Sequence, residues 1–170
     1  MRIIVSNSRN AAENLALEQQ LLLEPESVVL LYVNDKSVIV GRNQTVEAEV
    51  DCAYCKSHDI DVVRRESGGG AVYHDLGNLN YSFITDGGDL QNRSATLFTE
   101  PVVKALRGLG LDSEASGRND ILVSGCKVSG TAAQVHRGRV LHHGTLLFDS
   151  DAETIMKVLT PDPLKLQSKG

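Results

Sequence analysis

Arg64-Arg65-Glu66-Ser67-Gly68-Gly69-Gly70-Ala71-Val72-Tyr73-His74-Asp75-Leu76-Gly77-Asn78 follows an apolar run, Ile60 to Val63, that reads as a strand. Three consecutive glycines suit a place where the backbone bends sharply or lets a ligand come close, because glycine otherwise costs ordering entropy. Successive backbone N–H groups in such a bend can form an anion-binding concavity, and arginine forks fit phosphate and carboxylate. The stretch is neither G-x-x-x-x-G-K-[ST] nor G-x-G-x-x-G, so it is no standard nucleotide loop. Glycines alone also fit a plain tight turn. Arg64, Arg65, His74, Asp75 and Asn78 around them point instead to a ligand site.

The rest of the chain bounds what that site can serve. Its 170 residues suggest one domain with a core of its own. The net charge of −5, from 17 basic and 22 acidic residues, argues against a duplex nucleic-acid binder. The longest apolar run, Val28 to Val33, is far shorter than a membrane span, and no run of signal-peptide length opens the chain. The expectation is a soluble cytoplasmic protein with no membrane or nucleic-acid partner. Cys52, Cys55 and Cys126 are an odd number without a secretion signal. Cys52-Ala53-Tyr54-Cys55 has no second C-x-x-C to complete a zinc site, so the pair reads as reduced thiols on a helix face.

The expected elements begin with a strand over Arg2–Ser6. Asn10-Ala11-Ala12-Glu13 resembles a capping box opening a helix to Leu23. Ala11, Leu15 and Leu22 share a face with Glu18 on that helix. A carboxylate on an apolar face needs a partner, either in a rim salt bridge or in a polar contact near the site. Val28–Val33 and Ser37–Gly41 read as a hairpin turning at Asn34-Asp35-Lys36, and Arg42 after it faces either an anion or solvent. A helix over Val46–His58 and a strand over Ile60–Arg65 lead into the glycines. Further strands are expected over Asn78–Ile84, Leu111–Ala115, Asp120–Val123, Val128–Gln134 and Val140–Phe148. Helices are expected over Ala95–Leu109, closed by Gly110, and over Asp151–Leu159. Hairpins mixed with helices at uneven intervals indicate a mixed, largely antiparallel α/β sheet with packed helices rather than a doubly wound one.

Two more constellations carry chemistry. In Ser124-Gly125-Cys126-Lys127-Val128-Ser129-Gly130-Thr131 a lysine lies between glycines and hydroxyls, close after Gly117-Arg118-Asn119-Asp120. Lysine is a compact point charge that can bridge two oxyanions; alone, it also fits an exposed turn. Neighbours on a strand alternate faces, so Cys126 is expected to face the core if Lys127 faces a ligand. His142 and His143 alternate in the same way, so at most one joins a site. No metal-ligand spacing and no compelling Ser–His–Asp order accompany them.

With these residues in hand, the chain closely resembles the lipoate–protein ligase A family. The resemblance rests on Asn14-Leu15-Ala16 with Glu18, Gly41-Arg42-Asn43-Gln44, Arg64 to Asn78, Gly117 to Asp120, Lys127-Val128-Ser129-Gly130 and His143-Gly144-Thr145-Leu146. It implies the catalytic fold shared by lipoate and biotin protein ligases, related to class II aminoacyl-tRNA synthetases. It implies formation of lipoyl-AMP from lipoate and ATP with Mg²⁺. The lipoyl group would then pass to a lysine of a lipoyl-carrier domain, in a 2-oxoacid dehydrogenase E2 subunit or the glycine-cleavage H protein. By the same resemblance Arg65, Gly70, Ala71, Val72, Tyr73, Asn119 and Asp120 would bind ATP, with Asp120 also holding the metal. Ser67, Gly68, Gly69, His74, Asn78, Ser129, Gly130, His143 and Gly144 would bind lipoate. Lys127 would be the catalytic residue, touching both the lipoyl carboxyl and the phosphate. The dithiolane tail would lie in an apolar slot between the first helix and the hairpin.

The chain ends at Ser168-Lys169-Gly170, before the further segment and accessory domain of that family. The expectation is therefore a catalytic domain over 1–170, incomplete at its C-terminal end. Two alternatives stay open: an octanoyltransferase of the same superfamily, and a non-catalytic lipoate or adenylate binder. A biotin–protein ligase ranks lower, because its glycine–arginine loop differs from Arg65-Glu66-Ser67-Gly68-Gly69-Gly70.

Overall fold

The computed structural model describes residues 1–87, 96–117 and 119–160. Strand β1 (Arg2–Val5) runs parallel to β2 (Val28–Tyr32), and parallel neighbours need a crossover, supplied by α1 (Ala11–Leu23). The Asn10 side chain caps α1 by accepting from the Glu13 N–H. The reciprocal half of the capping box is missing, because the Glu13 carboxylate accepts from the Ser8 hydroxyl instead.

The hairpin expected over Val28–Gly41 does not form. Strand β3 (Ser37–Val40) leaves β2 and enters a second sheet. Two features explain this. All four β3 residues are buried, so no polar face marks its partner. The expected turn residue Asn34 is fully buried, with its amide bonded to Asn14 and His74, so the link crosses between sheets instead of reversing at the surface.

The helix expected over Val46–His58 is broken into α2 (Val46–Glu49) and α3 (Cys52–Ser57). Val50 between them is extended, bridges to Leu159 and lies in a cluster with Val38, Val40, Tyr73 and Val158. Burial of this β-branched side chain overrides a weak helical preference, and Asp51 restarts the helix by capping the Tyr54 N–H. Strand β4 (Asp61–Arg64) pairs with β3 in parallel. Strand β5 (Val72–His74), unforeseen within the glycine-rich stretch, pairs with β3 from the other side, antiparallel.

Strand β6 (Asn78–Asp86) runs two residues past its expected end, and α4 (Thr96–Gly108) is followed by Gly110 at φ 85°, as expected of a C-terminal cap. Ala95, Gly88 and Asp89 of the expected helix start and loop lie outside the described residues. Then come β7 (Ser113–Ser116), β8 (Asp120–Val123), β9 (Cys126–His136), β10 (Arg139–Leu147) and α5 (Ala152–Val158). Strand β7 is displaced toward the C-terminus from the expected Leu111–Ala115, and β9 is longer than expected at both ends.

The strands form a seven-stranded sheet, β1-β2-β6-β10-β9-β8-β7, antiparallel except at β1–β2, and a three-stranded sheet, β4-β3-β5. The mixed, largely antiparallel architecture matches the expectation. Helix α1 joins the two sheets. Leu21 and Leu22 pack on Leu30, Ile84 and Leu141 of the large sheet, while Ala11 and Leu15 pack on Ile39 of the small one.

Candidate active site

A cavity of about 320 Å³ opens between the sheets. Its floor exists because β9 changes partner. Thr131–His136 pair with β10, and Cys126–Gly130 pair with β8. Gly130 to Ala132 and His143 to Thr145 line the cavity at that junction. A Cβ on Gly144 would stand 2.5 Å from the Tyr81 hydroxyl, so glycine there admits Tyr81 beneath the floor.

The glycine stretch is the opposite wall. Gly69, Gly70, Ala71 and Val72 line it, with Gly69 at φ 96°. A Cβ on Gly41 would lie 2.1 Å from the Gly69 carbonyl oxygen, so the turn after β3 holds the loop by close backbone contact. Arg65 braces the loop from behind. Its Nε donates to the Ser67 hydroxyl, Nη1 to the Ile39 carbonyl, and Nη2 to the Gly68 and Gly70 carbonyls. Four of the five N–H groups of this guanidinium are thus committed within the protein. Burial lowers its pKa, against an opposing pull from Glu18. Arg64 donates to the Gly41, Arg42 and Gln44 carbonyls, and Arg42 is exposed away from the cavity.

Glu18 resolves the choice that its sequence position posed: it sits beneath the site and not in a rim salt bridge. The side chain is completely buried and accepts hydrogen bonds from Tyr32 at 3.0 Å, from Ser82, and from His143 Nδ1 at 3.0 Å. Burial alone would raise this carboxyl. The charge of His143 and the hydrogen bonds from His143, Ser82 and Tyr32 outweigh that and hold it below its ordinary value. His143 Nε2 in turn meets the Ser67 hydroxyl at 2.6 Å. Ser67, His143 and Glu18 share the connectivity of a nucleophilic triad. Ser67, however, is 1 % exposed, does not line the cavity and already accepts from Arg65. The chain Arg65–Ser67–His143–Glu18 therefore ties the glycine wall to the sheet and attacks nothing.

At the far side, Lys127 Nζ pairs with Asp120 at 2.8 Å, and both line the cavity with Asn119. The Asn119 carbonyl accepts from the Thr131 N–H, which anchors that segment to β9. Arg118 lies outside the described residues.

The predicted site residues fall into two groups. Arg65, Gly69, Gly70, Ala71, Val72 and His74 line the cavity. So do Asn119, Asp120, Lys127, Gly130, His143 and Gly144. Ser67, Gly68, Tyr73, Asn78 and Ser129 do not. Ser67 and Gly68 hold Arg65, Tyr73 points into the cluster of Val38 and Cys55, Asn78 donates to Asn80, and Ser129 meets the Tyr81 hydroxyl. Any contact by Tyr73 would come from its backbone. Tyr32, Asn80, Thr131, Ala132 and Thr145 line the cavity although no ligand role was expected of them. Tyr32 and Ile39, from the two strands first read as a hairpin, stand with Leu15 as the apolar lining expected there. His142 and His143 do take opposite faces, His142 stacking on Phe98 at 4.7 Å. Cys126 corrects an expectation: it is exposed at the β8–β9 turn, not in the core, and it is not on the cavity wall. That position gives no support to thiol-mediated acyl transfer.

Residues 10–170 match the family model described as lipoyl protein ligase A/B catalytic domain. Lipoate–protein ligase 1 of Staphylococcus aureus is 46% identical over 174 residues, covering 100% of this chain and 53% of that protein. Among solved structures, a bi-partite lipoate protein ligase from Thermoplasma acidophilum, described with its E2 lipoyl domain, superposes with a TM-score of 0.86 at 33% identity. That match covers 99% of this chain and 69% of the other. A lipoate-protein ligase A bound with ATP gives a TM-score of 0.83 at 31% identity, over 94% of this chain and 71% of that one. The chain spans about half the length of the curated relatives it matches.

Proposed function

Because the chain belongs to the lipoyl protein ligase A/B catalytic-domain family, we propose that it activates lipoate with ATP and serves transfer of the lipoyl group to a carrier-domain lysine. The observation that carries this reading is one cavity holding a glycine wall, an apolar lining from Leu15, Tyr32 and Ile39, and Lys127 at its polar side. A carboxylate oxygen of lipoate attacks the α-phosphorus of ATP, and pyrophosphate leaves with the electron pair of the broken P–O bond. Two anions must meet for this, so positive charge has to be in place beforehand. Lys127 supplies it as a point charge able to face the carboxylate and the phosphate together. In the free protein Asp120 occupies that ammonium, and the incoming anions exchange with it. The carrier lysine amine then attacks the acyl carbon and AMP departs.

Mg²⁺ fits the donor set in a limited way. Among the described residues no group of three or more His, Cys, Asp or Glu side chains could hold a metal, so these residues offer no cage. Magnesium typically keeps one or two carboxylates and relies on substrate phosphates and water, and Asp120 is the residue that would hold it here. When bound, it would neutralise phosphate charge. The acceptors in this reading are E2 subunits of 2-oxoacid dehydrogenases and the glycine-cleavage H protein. A lipoyl domain as partner has a parallel in the Thermoplasma acidophilum ligase and its E2 lipoyl domain. Among the described residues no helix is long and apolar enough to cross a membrane. We place the reaction in the cytoplasm.

The test is pyrophosphate release by the 170-residue chain with ATP and Mg²⁺, comparing lipoate, octanoate and biotin. Lipoate-dependent release is expected. Binding of lipoate with no release would leave a binder and overturn the adenylation step.

A further inference from the structure

His74 is buried to 3 % exposure on the cavity wall, and its two ring nitrogens are not equivalent. Their roles follow from a carbonyl group several residues away. The Ser8 backbone carbonyl can only accept, so the Asn14 atom 2.9 Å from it is the amide nitrogen. The same nitrogen meets Asn34 at 2.8 Å, which makes that Asn34 atom the oxygen. The Asn34 nitrogen therefore faces His74 Nδ1 at 3.0 Å and donates to it. Nδ1 is an acceptor, and the ring proton sits on Nε2. Asn14 is held the right way round at its other end as well, because its oxygen accepts from the Ser6 hydroxyl. Burial, then the Arg65 and His143 charges, push His74 down to about 3, so the ring is neutral at any working pH.

Nε2–H thus stands as a fixed donor with no partner among the described residues. The apolar cluster of Leu15, Ile39 and Val72 lines the cavity with it. The charged side chains that act on it are Arg65, His143 and Glu18, and Lys127 is not among them. In this reading the anionic head group goes to Lys127, whose charge does not act on the ring. What fits is the tail of the ligand, carrying a neutral acceptor.

We propose that His74 is a specificity-determining residue that reads the dithiolane ring, its Nε2–H donating to a ring sulfur. This rests on the reading of the cavity as a lipoate pocket. A plain alkyl chain leaves the donor buried and unmatched, and sites built around a hydrogen bond reject the analogue that lacks it. A sulfur acceptor is weak, so the expected discrimination is about fivefold.

Calorimetric binding of lipoate and octanoate to the full chain tests this without requiring turnover. With His74→Leu, lipoate affinity should fall about fivefold while octanoate affinity stays essentially unchanged. His74→Gln, which retains an N–H donor, should recover part of the preference. Equal loss for both acids, or no loss for lipoate, overturns the assignment and leaves the lipoate reading standing. A parent protein that binds neither acid overturns the lipoate reading itself, and the assignment with it. A readout independent of substitution is the ¹⁵N spectrum of the parent histidines. The His74 Nε2–H resonance should move with lipoate and not with octanoate, and equal movement with both would count against a sulfur contact.

Discussion

Two side chains show how differently charge is used around one cavity. Lys127 and Asp120 are roughly half and one-third exposed, at 49 % and 37 %, and such pairs contribute little to stability. Lys127→Ala should therefore leave the thermal midpoint nearly unmoved while pyrophosphate release falls by at least about a hundredfold, the scale of removing one transition-state donor. Turnover near the parent rate would sink the mechanism. Glu18 is the opposite case. Glu18→Ala strands His143, Tyr32 and Ser82 without their acceptor, and breaking a buried charged network costs about 3–5 kcal/mol. Urea unfolding should show a loss of that order, against little change for Lys157→Ala in the exposed pair with Glu153. The sequence could flag Glu18, because a carboxylate among Ala11, Leu15 and Leu22 needs a partner. It could not supply one, since Ser82 and His143 lie 64 and 125 residues away.

Among the elements, those with a polar side to their pattern were legible. Strand β6 alternates, α1 carries its own cap, and β8 sits where its apolar residues put it. Elements decided by tertiary burial were not. Strand β3 is buried throughout, so its local pattern named neither a sheet nor a partner, and Val50 broke a helix to bridge Leu159. The Gly41 turn looked like a strand end, and only the structure shows it supporting the glycine wall. Gly41→Ala would drive a methyl group into the Gly69 carbonyl. Overpacking of this kind typically costs about 1–3 kcal/mol. Here the loop must yield, so lipoate affinity should drop more than stability does. Calorimetry and urea unfolding on the same variant separate the two effects, and a stability loss with affinity intact would place the strain elsewhere.

For the whole molecule, the buried histidines set the response to acid. Burial lowers His74 to about 3 and His142 to about 4, against an ordinary value of 6.5. Below pH 6.5 the unfolded chain takes up protons that the folded one refuses, so stability falls as pH drops toward those values. Each histidine contributes at most about 1.4 kcal/mol per pH unit in that window. Glu18, held low, acts in the same direction: its contribution is full above about 4.5 and is lost as pH falls through its folded value. Urea midpoints between pH 7.5 and 4.5 should record the decline. His142→Phe, which keeps the stack on Phe98, should remove about half the histidine slope; an unchanged slope would mean His142 protonates in place. A further consequence concerns where this chain can be cut. Residues 6 to 10 form a short, partly exposed link between β1 and α1, the kind of place chosen for circular permutation or for grafting the cavity onto another scaffold. Yet Ser6 and Ser8 in that link fix Asn14, and through it the orientation of every group as far as His74. Opening the chain there would keep the hydrophobic clusters and lose the proton's address, giving a folded transplant that no longer tells one fatty tail from another.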